Sequence, residues 1–321
     1  MSDDAAGPVK PRLAISIDHA QAILDGGAPG SSVTGVVELY GGEIGAVFEL
    51  ARKDAPSCIL KVYPASLQWK MAKEVHVLGL LRNINAPVPH IFSADESRSV
   101  IDLNFVLMTK LPGIVLGRRE AALSEPELFA VHAEMGACLR NIHDITLDSF
   151  GYIGPNGVWT AHRTNRDYLS FQFAKKLGDF RARGGDTALA DRLEAAIADR
   201  RHLLDGAITP RLCHYDFHAG NVLVTSNCAP HISGIVDFEN AIAGDPLMDI
   251  AKALYYFTAK DAPKRDGLLA GYGAIRRSDW REAIDLYRLY GTLELWCWLG
   301  EIGRREALAD LTAELERVSR G

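Results

Sequence analysis

The stretches CHYDFHAGNVLV, Cys213 to Val224, and GIVDFENAIAGDPLMDIA, Gly234 to Ala251, decide how this chain is read. The first sets His214, Asp216 and Asn221 in the order His-x-Asp-x-x-x-x-Asn, and the second supplies a further carboxylate, Asp237. Between them NVLVTS and HISGIVDF are apolar, β-branched runs joined by Asn227, Cys228, Ala229 and Pro230, the pattern of a hairpin with a short loop. A turn centred near Cys228 and Ala229 brings Asn221 and Asp237 together at the open end of that hairpin. A hard divalent cation such as magnesium takes oxygen ligands from one or two protein groups and fills the rest of its shell with phosphate and water, so this pair is the candidate metal site.

Phosphoryl transfer asks a protein mainly to position reactants and neutralise charge. Asp216 suits the acceptor hydroxyl, and Asn221 with Asp237 suit a metal on a triphosphate. The segment resembles the aminoglycoside phosphotransferase family of small-molecule kinases, relatives of choline and homoserine kinases. Asp237 is followed by Phe238 and Glu239 instead of Phe-Gly, and Gly244, Asp245, Pro246 and Asp249 give the Gly-Asp-Pro-x-x-Asp run expected of that family. Asp245 reads as a helix N-cap with Pro246 at the first helical position. The resemblance implies that Asp249 accepts hydrogen bonds from the backbone of the catalytic loop; dipole stabilisation of its own helix is the other reading. It implies an α+β, protein-kinase-like, two-lobed fold with an N-terminal antiparallel sheet plus helix and a mostly helical C-terminal lobe, acting on ATP with Mg2+.

Working towards the N-terminus, Ser32 to Tyr63 alternates β-branched runs with glycine and reads as antiparallel strands. Gly41, Gly42 and Gly45 lie in the first turn, where the absent side chains suit close approach to a triphosphate, or simply a turn. Lys61 sits inside an apolar strand on the face of Ile59 and Tyr63. The helix that follows, about Leu67 to Asn83, carries Leu67, Met71, Leu78 and Leu81 as its apolar stripe with Glu74 inside it. A buried lysine and a buried carboxylate need partners, so Lys61 and Glu74 are expected to pair and to hold the lysine against phosphates; a snorkelling Lys61 and an edge position for Glu74 are the alternative. FVLMTKLPGIVL, Phe105 to Leu116, leaves this lobe through a Pro-Gly break. The resemblance places an adenine ring there, with Met108 behind it and the backbone of Thr109 and Leu111 reading it.

Downstream, EPELFAVHAEMGACLRNIHDI is helical in period and ends on His143, read as a core or capping histidine. The late helix AIDLYRLYGTLELWCWLGEIGRRE places Glu294, Trp298 and Glu301 on one face, either a site for a cationic acceptor or a solvated acidic stripe. Glu239 is grouped with them as a candidate acceptor contact. The expected organisation is a flexible arm over 1–13, a nucleotide-binding lobe over 14–111 and a catalytic and substrate-binding lobe over 112–321.

With 321 residues, 48% of them hydrophobic, the chain can bury a large core. A formal charge of −6 with interspersed signs leaves no basic stripe for nucleic acid. Five cysteines without a Cys-x-x-Cys pair suggest neither a disulfide framework nor a zinc site. With no signal-like or membrane-spanning apolar run, a reducing cytoplasm is expected. Gly-x-Ser-x-Gly is absent, which disfavours a hydrolase of that type. The expectation is a kinase for a hydroxyl on a small, cationic molecule. An aminoglycoside-like antibiotic is the first candidate, choline, homoserine, a sugar or a fructosamine are rivals, and a nucleotide-binding pseudokinase is the non-enzyme alternative.

Overall fold

In a computed structural model, which describes residues 14–39, 45–226, 229–255 and 261–319, the glycine-punctuated runs after Ser32 form antiparallel strands β1 (Val33–Leu39), β2 (Ala46–Arg52) and β3 (Ala55–Tyr63). With β4 (Ile91–Asp95) and β5 (Asn104–Thr109) they make a five-stranded sheet in the order β1-β2-β3-β5-β4. Side chains alternate across a strand, so β3 sends Cys58, Leu60 and Val62 to one face and Ile59, Lys61 and Tyr63 to the other. The first face packs against α1 (Ile17–Gly27) through Ala20, Ile23 and Leu24. Ser16 caps that helix by accepting from the His19 N–H at 3.1 Å. The second face packs against α2 (Gln68–Leu80), where Met71 joins Tyr63, Val106 and Met108. Helix α1 follows the expected N-terminal arm and was not read from the sequence; the arm itself, 1–13, lies outside the described residues.

The chain divides into two units. Unit 1 is the chain up to Arg118 with Gly154–Gly157 and Gly220–Glu239; unit 2 is Arg119–Ile153, Val158–Ala219 and Asn240 onward. The break expected after residue 111 therefore falls later, and the hairpin assigned by sequence to the second lobe joins unit 1. Strand pairing is the reason: β6 (Ile114–Val115) pairs with β10 (Val222–Val224), which pairs in turn with β11 (Ile232–Ile235).

Unit 2 is mostly helical, built on α3 (Glu125–His143), α4 (Asn165–Ala182), α5 (Thr187–Asp199), α6 (Pro246–Tyr255), α7 (Ala262–Tyr272), α8 (Trp280–Glu301) and α9 (Leu308–Ser319). Short strands β7 (Gly151–Gly154), β8 (Gly157–Val158), β9 (Arg211–Cys213) and β12 (Ile242–Gly244) form a sheet ordered β8-β7-β12-β9. Helices α3 and α7 approach backbone to backbone. A Cβ on Gly136 would fall 2.1 Å from the Leu268 carbonyl oxygen, and one on Gly271 would fall 1.8 Å from that of Ala133, so only glycine fits at either place. This α+β arrangement, an antiparallel sheet with flanking helices followed by a helical region, is the fold class the sequence implied. Among the described residues no helix is long and apolar enough to cross a membrane, and Cys58, Cys138, Cys213 and Cys297 are free thiols.

Candidate active site

Strand and helix periods converge on Lys61. The inner face of β3 turns its ammonium towards α2, whose buried face carries Glu74, and the two meet at 3.0 Å. The sequence alternative of a snorkelling lysine does not hold: the Lys61 side chain is 12% exposed and its Nζ also lies 3.0 Å from Asp237 Oδ1 and 3.1 Å from Glu239 Oε2. Tyr63 donates its hydroxyl to the same Glu74 carboxylate. Burial pushes the Lys61 ammonium down, but Glu74, Tyr63, Asp237 and Glu239 together outweigh it and hold the group well above the ordinary lysine range. Lys61 is therefore a permanent cation at neutral pH.

The hairpin brings the two candidate oxygen ligands, Asn221 and Asp237, to one end. Its register sets Val222 opposite Ile235, and Val236 donates its N–H to the Asn221 carbonyl at 3.0 Å, so Asp237 follows directly at the open end. Asp237 adopts φ +68° and leaves its carboxylate about one-third exposed at 35%. An amide oxygen and a carboxylate, without nitrogen or sulfur donors, form a set that suits a hard cation such as Mg2+. The predicted turn residues Asn227 and Cys228 lie outside the described residues. Glu239, grouped by sequence with the acceptor contacts, belongs instead to the lysine cluster: the short 3-10 turn Phe238–Asn240 directs its oxygens to Lys61 and, at 3.3 Å, to Lys70.

The expected adenine contacts separate by environment. Met108 is buried, lies opposite Ile59 in the strand register and packs with Tyr63 and Met71. Thr109 donates its N–H to the His90 carbonyl at 2.9 Å, and its hydroxyl accepts from the His90 N–H at 2.9 Å, so that backbone donor is already committed within the sheet. Leu111 packs over Gly234, where an added Cβ would meet Leu111 Cδ1 at 2.8 Å. Gly41 and Gly42 lie outside the described residues. Gly45 has a packing reason to be glycine, since a Cβ there would fall 2.8 Å from the Val62 carbonyl oxygen.

In unit 2, strand β9 delivers His214 and Tyr215 to the first turn of α6. Asp249 accepts the His214 N–H at 2.6 Å and the Tyr215 N–H at 2.5 Å, and its Oδ2 lies 3.0 Å from His143 Nε2. The other ring nitrogen of His143 meets the Tyr272 hydroxyl at 2.9 Å, a buried position in keeping with a core histidine. Asp245 caps α6 by accepting from the Leu247 N–H at 3.0 Å, and its second oxygen binds Arg277 at 3.0 Å and the Tyr287 hydroxyl at 2.7 Å. The Asp245 cap and the Asp249 acceptor of loop backbone N–H groups are thus both visible in contacts. The Asp216 carboxylate, displayed just beyond, accepts from Asn240 Nδ2 at 3.4 Å and lies 3.6 Å from His218 Nε2.

The late helix divides its acidic face. Glu294 accepts the Tyr215 hydroxyl at 2.9 Å and lies 3.8 Å from Lys252, whose ammonium stands 4.1 Å from the Tyr215 ring centroid. Burial and then Glu294 push the Tyr215 phenol up, so it stays a donor. Glu301, two turns on, pairs with Arg183 at 3.3 Å, and Trp298 is exposed. Sequence reasoning missed Asn240, Lys252, Lys70 and Tyr215 as parts of these clusters. Only Tyr215 carried a signal, a bulky residue between two motif positions.

The sequence profile of the phosphotransferase enzyme family matches residues 36–286. A mouse protein named acyl-CoA dehydrogenase family member 10 is 26% identical over 270 residues, covering 80% of this chain, while the chain spans 24% of that protein's length. In structure, the chain is similar to an aminoglycoside phosphotransferase, APH(4)-Ia, in ternary complex with ADP and hygromycin B, with TM-score 0.71 and 18% identity over 93% of this chain and 97% of the other. It is similar also to a Thermobifida fusca protein assigned as a fructosamine-3-kinase, with TM-score 0.67 and 19% identity over 94% of this chain and all (100%) of the other.

Proposed function

We propose that this chain, which belongs to the phosphotransferase enzyme family, transfers the terminal phosphoryl group of ATP to a hydroxyl of a small molecule. The observation that carries the reading is Lys61, held within 3.1 Å of Glu74, Asp237 and Glu239, because a fixed ammonium beside a hairpin carboxylate is what a metal-bound polyphosphate needs. Asn221 and Asp237 would hold the magnesium ion, which neutralises charge on the phosphates when bound. Lys61 holds phosphate oxygens, Met108 backs the adenine, and Thr109 and Leu111 offer backbone groups to its edge. Asp216 takes the proton of the acceptor hydroxyl as the new oxygen–phosphorus bond forms and the bond to the ADP oxygen breaks. Asn240 and His218 keep that carboxylate aimed, and Asp249 fixes the backbone that presents it.

An aminoglycoside-like amine is the first acceptor to test, since Glu294 is a partly exposed carboxylate and Trp298 an exposed ring in unit 2. The mouse relative carries acyl-CoA in its name, and although this chain spans only 24% of that protein, an acyl compound bearing a hydroxyl is a second class to test. Lys252 beside Glu294 supports that class, as it offers an ammonium to an acidic acceptor. The test is ADP release from Mg-ATP against aminoglycosides, choline, homoserine, amino sugars, fructosamines and hydroxyacyl thioesters, with Asp216→Asn alongside. Turnover on one class that falls at least about a hundredfold in the variant, with nucleotide affinity unchanged, is the expected result. Equal turnover in the variant removes Asp216 as the base. Tight Mg-ATP binding with no turnover on any acceptor favours a pseudokinase.

A further inference from the structure

Glu239 makes an unusual bridge. Its Oε2 lies 3.1 Å from Lys61 and its Oε1 3.3 Å from Lys70, so one carboxylate joins ammonium groups from β3 and α2. All three side chains are nearly buried, at 12% exposure for each lysine and 11% for Glu239. Lys70 stands one helical turn before Glu74, the other helix partner of Lys61, and therefore on the same side of α2.

An ammonium has three N–H donors. Those of Lys61 face three carboxylates, at 3.0, 3.0 and 3.1 Å. A phosphate oxygen can reach Lys61 only if one of the three gives way. Glu74 is pinned by Tyr63 and buried in the face of α2. Movement of Asp237 would free a donor on Lys61 alone. Movement of Glu239 frees donors on Lys61 and Lys70 together, spaced for two oxygens of one anionic group, and a phosphate presents its oxygens in the same way as the carboxylate that leaves.

We propose that Lys70 is a second phosphate-binding lysine, and that Glu239 is the internal anion which the nucleotide displaces from Lys61 and Lys70. The inference rests on the nucleotide reading above and assigns phosphate contacts beyond Lys61. Calorimetric titration of the intact chain with ATP, ADP and adenosine, in the presence of magnesium, tests it on wild type, Lys70→Met, Lys70→Arg and Glu239→Gln. Lys70→Met should weaken ATP and ADP by about tenfold and leave adenosine within about twofold, while Lys70→Arg stays close to wild type. Glu239→Gln should tighten ATP, because a neutral amide competes less well for two ammonium groups. Unchanged ATP and ADP affinity in Lys70→Met, or an equal loss for adenosine, overturns the role of Lys70. Weaker ATP binding in Glu239→Gln overturns displacement and makes Glu239 a supporting group. Wild type that binds none of the three ligands removes the nucleotide reading itself, an outcome distinct from wild-type binding that Lys70→Met leaves intact.

Discussion

Replacing Lys73 by methionine isolates a charge that the fold of unit 1 holds at a cost. Lys73 is 0% exposed, on the buried side of α2. Burial, and then the neighbouring Lys70 charge, lowers its ammonium from the ordinary 10.5 to about 7, with Glu239 offsetting only part. The charged form is disfavoured inside the protein, so between pH 7 and 10.5 the unfolded chain binds more protons than the folded one, and stability rises with pH across that window. Below pH 7 the full cost of burying the charge is present, about 5 kcal/mol; above 10.5 it is gone. Methionine keeps the unbranched length without the charge. Lys73→Met should therefore gain most over wild type near pH 6.5, and the gap should narrow by about 3 kcal/mol by pH 9.5. Urea unfolding of both proteins at these two pH values, with the same slope in denaturant, reads the difference directly. A gap that stays constant, or one that widens as pH rises, would refute the reasoning.

Three further perturbations probe other parts of the molecule. Asp237→Ala should abolish the gain in nucleotide affinity that magnesium confers while leaving adenosine binding within about twofold, read by titration with and without the metal. Asp249→Asn replaces an acceptor of two backbone N–H groups by a side chain that also carries donors, so it should destabilise the protein by about 2 to 3 kcal/mol in thermal unfolding and lower turnover more than nucleotide affinity. Gly271→Ala forces a Cβ to 1.8 Å from the Ala133 carbonyl oxygen and should cost about 2 to 4 kcal/mol as α3 and α7 separate; a melting temperature equal to wild type would show that these helices do not pack backbone to backbone.

What was legible followed from periodicity. The alternation of β3 and the helical stripe of α2 fix which faces Lys61 and Glu74 occupy, and their pairing follows because neither charge can be buried alone. The hairpin of β10 and β11 was readable for the same reason. Helix α1 was equally written, with Ser16 and Asp18 at its start and Ala20, Ile23 and Leu24 on one face, but its length of 11 residues left few repeats of the pattern to read. Lys73 was hidden because pattern reading assigns lysine to solvent, whereas this one is fully buried. Glu294 and Glu301 share a helix face by spacing, yet different neighbours, Tyr215 with Lys252 for one and Arg183 for the other, separate their roles. No local pattern encodes a partner that arrives from another element.

The backbone itself marks the chemistry. Among the described residues only Asp54, Arg98, Tyr215 and Asp237 adopt positive φ without being glycine. Asp54 lies in the tight turn between β2 and β3 and Arg98 in the loop after β4, places where such geometry reverses the chain. Tyr215 and Asp237 have no such excuse. One immediately precedes the proposed base and the other is the proposed metal ligand, and a bulky aromatic residue at φ +61° costs on the order of 1–2 kcal/mol. Each is held in place by charged partners: Asp249 takes the Tyr215 N–H while Glu294 takes its hydroxyl, and Lys61 takes the Asp237 carboxylate. The strain is therefore balanced by these charged partners, and relaxing it by Tyr215→Gly, which tolerates φ +61° freely, should raise stability at the backbone while loosening the aim of Asp216. Higher turnover in that variant would show that Tyr215 obstructs the acceptor instead of steadying the base, because strain that served positioning could not be removed with a gain in rate.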